Sequence, residues 1–205
     1  MSLNNFSNLF LDLDSINSTN KKIEILINYF LANDPLENSW TIYLLTGKNN
    51  KRFVTGKYLK EFFSEIYDYP LWLINMCYLK VGDSAEVITL LLKNEKTLEN
   101  EKLKNISLND LLGKRLPELS SLEENKKKLK IKSLWEHLPK ENHLIFNKIL
   151  TGTFRVGVSI GLITKSISKL INLDEEIISH RLMGKFNPSI KSYELLIDKK
   201  INQKE

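Results

Sequence analysis

The sequence has a single cysteine, Cys77, set in an apolar, helix-like run. One thiol excludes a disulfide framework or a thiolate metal site within the chain, and favours a reducing, cytoplasmic setting. No apolar stretch approaches the ~18 residues of a membrane span. The N-terminal MSLNNFSNLF lacks the basic and long apolar regions of a signal peptide. Neither a Gly-x-x-x-x-Gly-Lys-Ser/Thr loop nor a Gly-x-Ser-x-Gly elbow occurs, which removes the common phosphate-loop and nucleophile-elbow enzymes. His137, His143 and His180 are not spaced with cysteines or acids as metal ligands are, so no metal is expected. The acidic groups Glu123-Glu124 and Asp174-Glu175-Glu176 fall at helix starts, where the helix dipole accounts for them.

What is present is ordinary in amount and uneven in placement. Apolar residues make up 42% and charged residues 27% of 205, enough for a packed core. The net charge is only +5. Residues 1–100 carry 10 Lys and Arg against 12 Asp and Glu, whereas residues 101–205 carry 20 against 13. That asymmetry suits an anionic ligand held mainly by later elements.

The dominant period is helical. Leu3, Phe6, Leu9, Phe10 and Leu13 recur at spacings of three and four, as do Ile23, Leu26, Ile27 and Phe30 after a polar Ser18-Thr19-Asn20 start. A run from Trp40 to Leu45 stops at Gly47. Thr55 is a cap for a helix carrying Leu59, Phe62, Phe63 and Ile66. Pro70 suits the first turn of a helix from Leu71 to Lys80 that Gly82 ends, and Asp83 caps the next, Ser84 to Leu92. Residues 94–106 read as a polar insertion or loop. Ser107 caps a short helix ending near Pro117, and Ser121 with Glu124 forms a capping box for a helix to Leu138. Helices over Lys140 to Thr151, Val156 to Ile171, Asp174 to Met183 and Ser189 to Lys199 follow. The expectation is an all-α fold of about twelve short helices, a single domain over residues 1–205. Leu45-Thr46-Gly47 and Leu150-Thr151-Gly152, each after an aromatic-bearing helix and each followed by basic residues, fit either an internal two-fold repeat or a chance match of three residues.

Three places invite a ligand. In Lys80-Val-Gly-Asp-Ser-Ala-Glu86, Gly82 and Ser84 could admit a phosphate to a helix start, or mark an ordinary helix corner; Asp83 would repel the phosphate and is better read as a cap. In Asn147-Lys-Ile-Leu-Thr-Gly-Thr-Phe-Arg-Val-Gly-Val-Ser159, Thr151, Gly152, Thr153, Arg155 and Gly157 form a set able to donate several hydrogen bonds to one backbone strand. The alternative is a plain glycine cap beside a solvated arginine. Lys48, Lys51 and Arg52 share a short loop suited to phosphate contact or simple exposure. The lysine run 126–132 reads better as a solvated helix face.

LTGKNNKR, PLWLINMCYLKVGDSAEVITLLL, FNKILTGTFRVGVS and ISHRLMGKFNPS, in this order, resemble the N-terminal DNA-binding domain of bacterial ATP-dependent DNA ligases. The resemblance runs from Phe6 to about Leu196 and is weakest at 94–130. It implies a helical domain with rough two-fold symmetry lying across the minor groove of nicked double-stranded DNA. In that reading Gly152 and Gly157 allow close approach, Thr151, Thr153 and Arg155 face phosphates, and Gly82 with Ser84 makes a paired contact. The family's lysine-x-aspartate-glycine motif, whose lysine accepts AMP, does not occur in this sequence. The expectation is therefore a non-catalytic, monomeric, nucleoid-associated binding domain ahead of a ligase catalytic core, with ATP and Mg2+ used only by that core. Two positions depart from the family pattern: Thr153 stands where a second glycine is common, and Lys185 where an acid is. The alternatives are a helical protein-interaction scaffold, which predicts an apolar groove, and a helical base-excising glycosylase, which needs a deep pocket with an acid or lysine.

Overall fold

Helices supply the regular structure of this computed structural model, which describes residues 3–48, 51–98, 100–154 and 157–199. Among those residues there is no β-strand, so the fold is all-α as the periodicity predicts. Helices α1 (Leu3–Ser15) and α2 (Thr19–Ala32) follow the apolar spacing, and Leu3, Phe6, Leu9, Phe10 and Leu13 are all buried. Helix α3 (Pro35–Leu45) begins earlier than Trp40. The Asp34 carboxylate accepts from the Leu36 and Glu37 N–H groups, and Pro35 occupies the first turn, where its missing N–H costs nothing. Helices α4 (Gly56–Tyr67), α5 (Leu71–Val81) and α6 (Ser84–Leu92) match expectation, with Thr55 capping α4 and Asp83 capping α6.

The middle of the chain departs most from the sequence reading. The expected loop at 94–106 contains the short α7 (Glu101–Lys104). Ser107 does cap α8 (Leu108–Asp110), but the helix continues through a π turn (Leu111–Arg115) into α9 (Leu116–Leu119). Pro117 therefore begins a turn rather than ending the helix, because the π turn shifts the register just before it. The capping box fails too. Ser121 Oγ donates back to the Glu118 carbonyl, and α10 (Glu124–His137) starts without a side-chain cap. A 3-10 turn (Lys140–Asn142) leads into α11 (His143–Thr151). Helix α12 (Ile160–Ile171) begins at a Ser159 cap rather than at Val156, and α13 (Glu175–Met183) and α14 (Ile190–Ile197) complete the order. Val156 itself lies outside the described residues.

The chain divides into two compact units, Met1–Ser7 with Asn50–Phe154 and Asn8–Asn49 with Arg155–Glu205. In the first, α6 packs against α4, α5 and α11, with Val87 and Ile88 buried. Phe63 packs at a tilt or edge-on against Tyr67, Tyr69 and Trp135 at ring separations of 5.0, 5.1 and 6.0 Å. A buried polar network holds α10, α11 and α6 in register. Trp135 Nε1 donates to Asn147 Oδ1 (2.8 Å), Asn147 Nδ2 donates to Thr89 Oγ1 (3.0 Å), and Thr89 donates to the Ala85 carbonyl (2.7 Å). In the second unit α12 packs on α2 and α13, and α14 packs on α3. Asn38 Nδ2 reaches the Phe30 carbonyl (2.8 Å) and Tyr193 Oη (3.3 Å), while the Ser189 N–H donates to Ser39 Oγ (2.8 Å).

Candidate nucleic-acid interface

The first unit brings most of the predicted residues to one corner, built outward from the end of α11. Gly152 takes the left-handed conformation (φ 64°), its N–H donating to the Ile149 carbonyl and the Thr153 N–H to the Lys148 carbonyl. That pair of bonds closes the helix and satisfies its last carbonyls. Thr151 is only 2% exposed, and its hydroxyl donates to the Asn147 carbonyl (2.9 Å). Its Oγ1 also lies 2.7 Å from Thr153 Oγ1. Thr151 thus faces inward and sets the turn, whereas Thr153 is exposed.

The loop from Lys51 to Thr55 is laid against this turn. The Phe53 and Val54 N–H groups both donate to the Leu150 carbonyl (3.0 and 3.1 Å), and Arg52 Nε donates to the Thr151 carbonyl (3.2 Å). An added Cβ at Gly152 would lie 3.5 Å from Arg52 Cα, so the arginine backbone runs directly beside the glycine. Lys51 Nζ lies 5.3 Å from the centre of the Phe53 ring. Both Lys51 and Arg52 are exposed.

Gly56, which the sequence reading passed over, explains how the corner is completed. A Cβ there would meet Ser84 Oγ at 2.8 Å, a collision. Its absence lets the start of α4 sit against the start of α6, so the positive ends of two helices meet there. Gly82, exposed and left-handed (φ 81°), ends α5 just before that point. The α6 start is already satisfied by the Asp83 carboxylate, which accepts from the Ala85 (2.7 Å) and Glu86 (3.2 Å) N–H groups. A phosphate near Gly82 and Ser84 would have to share this end with Asp83.

Lys148 neutralises that carboxylate from α11. Its Nζ lies 2.9 Å from Asp83 Oδ2 and 3.0 Å from Glu86 Oε1, with its side chain 9% exposed. Burial opposes the charge on both groups. The mutual contact outweighs it, holding Asp83 below the ordinary carboxylate range and Lys148 above the ordinary lysine range. The ion pair bolts the end of α11 to the start of α6.

The remaining predicted residues belong to the second unit or lie outside the description. Lys48 is used structurally: its Nζ donates to the Leu182 carbonyl (2.5 Å) and to the Gly184 carbonyl, capping the negative end of α13. The Gly157 carbonyl accepts from the buried Lys22 Nζ at 2.9 Å. Arg155 lies outside the described residues. In the lysine run, Lys126, Lys128, Lys130 and Lys132 each pair with an acid (Glu123, Glu65, Glu118 and Glu136). Lys127 instead lines a cavity of about 410 Å³ with Arg52, Thr55, Tyr58 and Phe62.

Among the described residues no cluster of His, Cys, Asp and Glu could hold a metal ion. None of their helices is long and apolar enough to cross a membrane. No curated protein matches the chain. A family model described as "DNA ligase N terminus" matches residues 2–168. With that match over most of its length, the chain belongs to the family of N-terminal domains of ATP-dependent DNA ligases.

Proposed function

We infer that this chain is a non-catalytic DNA-binding module that holds nicked double-stranded DNA through minor-groove backbone contacts for a ligase catalytic core, in DNA repair and replication. The observation that carries the reading is the corner of the first unit. There Lys51, Arg52, Thr153 and the start of α4 stand together around a glycine turn with no side chain in the way. Positive helix ends, an arginine and small residues are the groups that grip a phosphate backbone without reading bases. Such a clamp binds unrelated duplexes alike and releases counterions. Anisotropy on two unrelated nicked duplexes should give a log–log salt slope of roughly −2 to −5. Salt-insensitive binding, or a large preference for one sequence, would overturn the reading.

A second reading, a protein-interaction scaffold, rests on the outer face of α5. Trp72, Met76 and Leu79 are 69%, 52% and 75% exposed there. Replacing all three with alanine separates the two readings, because duplex affinity on the DNA-clamp reading does not depend on that face.

A further inference from the structure

We propose that the cavity beside Arg52 takes an unpaired nucleotide, its base resting on Tyr58 and its phosphate held by Arg52 and Lys127. The inference rests on the DNA-binding reading and deepens it.

Size and chemistry both point to this occupant. At about 410 Å³ the cavity falls within the range of small-molecule sites, about 300–1,000 Å³. Phe53, Val54 and Phe62 are buried and form an apolar floor. Tyr58 stands at the rim, 43% exposed, and its ring is steadied by Phe62 at 5.9 Å between centres. An exposed aromatic ring over an apolar floor is a stacking platform for any base. Arg52 and Lys127 place two cations at the same opening, and Thr55, the α4 cap, adds a hydroxyl. Glu124, at the start of α10, adds an acceptor suited to an exocyclic amine.

The pairing of lysines along α10 sharpens the point. Neighbouring lysines of that run have carboxylate partners, while Lys127 turns to the cavity. Arg52 both bonds the Thr151 carbonyl and lines the cavity, so the pocket opens beside the turn assigned to the duplex backbone. A nucleotide leaving the duplex there has a short path to it. Glu124 is exposed and Lys127 half-buried, so the site lacks the enclosure that excising a base requires. It holds a base rather than cutting one.

The test compares nicked duplexes carrying no flap, a one-nucleotide flap and a one-residue abasic flap, with the flap on each side of the nick in separate duplexes. Binding is read by anisotropy. The base-bearing flap should bind about 5- to 10-fold more tightly than the abasic one on one side of the nick, the size of a single stacking contact. Tyr58→Ala should abolish that difference and Tyr58→Phe should keep it. Lys127→Gln should reduce the advantage of either flap over the plain nick. Equal binding of base-bearing and abasic flaps on both sides overturns the proposal, as does a preference that survives Tyr58→Ala. If plain nicked duplex also fails to bind, the DNA-binding reading falls and takes the pocket with it.

Discussion

The two Leu-Thr-Gly turns, at residues 45–47 and 150–152, share a backbone and differ in what supports them. In each, the threonine hydroxyl donates to the carbonyl four residues earlier, at 2.7 Å for Thr46 and 2.9 Å for Thr151. Each glycine is left-handed, with φ of 69° and 64°. Beneath the first turn lie Ile42, fully buried, and Tyr43, half-buried with its ring edge-on to Trp40. Beneath the second, at the corresponding positions, lie Asn147 with its bonds to Trp135 and Thr89, and Lys148 with its bonds to Asp83 and Glu86. Apolar support accepts many arrangements of nearly equal energy. Directional polar support accepts one. The turn resting on oriented bonds is also the one beside Arg52 and the cavity.

Lys148→Met tests that support most severely. It leaves the Asp83 carboxylate partly buried without its cation, and should cost about 3 kcal/mol of stability in a denaturant titration. Acid sharpens the same point. Asp83 is held below its ordinary value, so its contribution is whole above the usual carboxylate pKa of about 4 and is lost as pH falls through the lower folded value. The parent chain should therefore lose more stability on acidification than Lys148→Met does. Equal losses would show that the pair contributes nothing.

Arg52→Ala and Lys48→Ala contrast the cations near the two turns. Arg52→Ala should weaken duplex binding by about 1–3 kcal/mol and cost about 0.5–1.5 kcal/mol of stability from the lost bond to the Thr151 carbonyl. Gly47→Ala and Gly152→Ala should each lose about 1–2 kcal/mol of stability, the cost of a left-handed alanine. Only Gly152→Ala should also weaken DNA binding, because its Cβ would stand beside Arg52. A matching loss from Gly47→Ala would erase the distinction. The smallest effect belongs to Lys48→Ala, about 0.3–1 kcal/mol of stability from the lost helix cap, with duplex affinity intact.

Local chemistry made much of this legible. The caps Thr55, Asp83 and Ser107 declare themselves because each bonds an N–H two or three residues ahead. The Ser121–Glu124 box failed because Ser121 had a competing partner behind it, the Glu118 carbonyl. The π turn left no trace, since Leu108, Leu111, Leu112, Leu116 and Leu119 across it keep the three- and four-residue spacings of an ordinary helix. At the candidate site, the Lys51-Arg52 loop and the Gly152 turn were each visible. Their meeting depends on bonds about a hundred residues apart, as does the assignment of Lys48 to carbonyls at 182 and 184. Gly56 was missed for the same reason: its meaning lies in Ser84, which only folding brings near.

The discontinuity of the second unit bears on the order in which the molecule assembles. Its ties run between an early segment and a late one: Lys22 to Gly157, Asn38 to Tyr193, Ser39 to Ser189. During synthesis the first unit has all its residues once Phe154 has emerged, while residues 8–49 still lack their partners. Helices α2 and α3 must wait with Ile23, Leu26 and Ile42 uncovered until the last quarter of the chain arrives. The ribosome thus delivers the Arg52 corner first and leaves the other half to close over a long loop, the slower kind of contact to form.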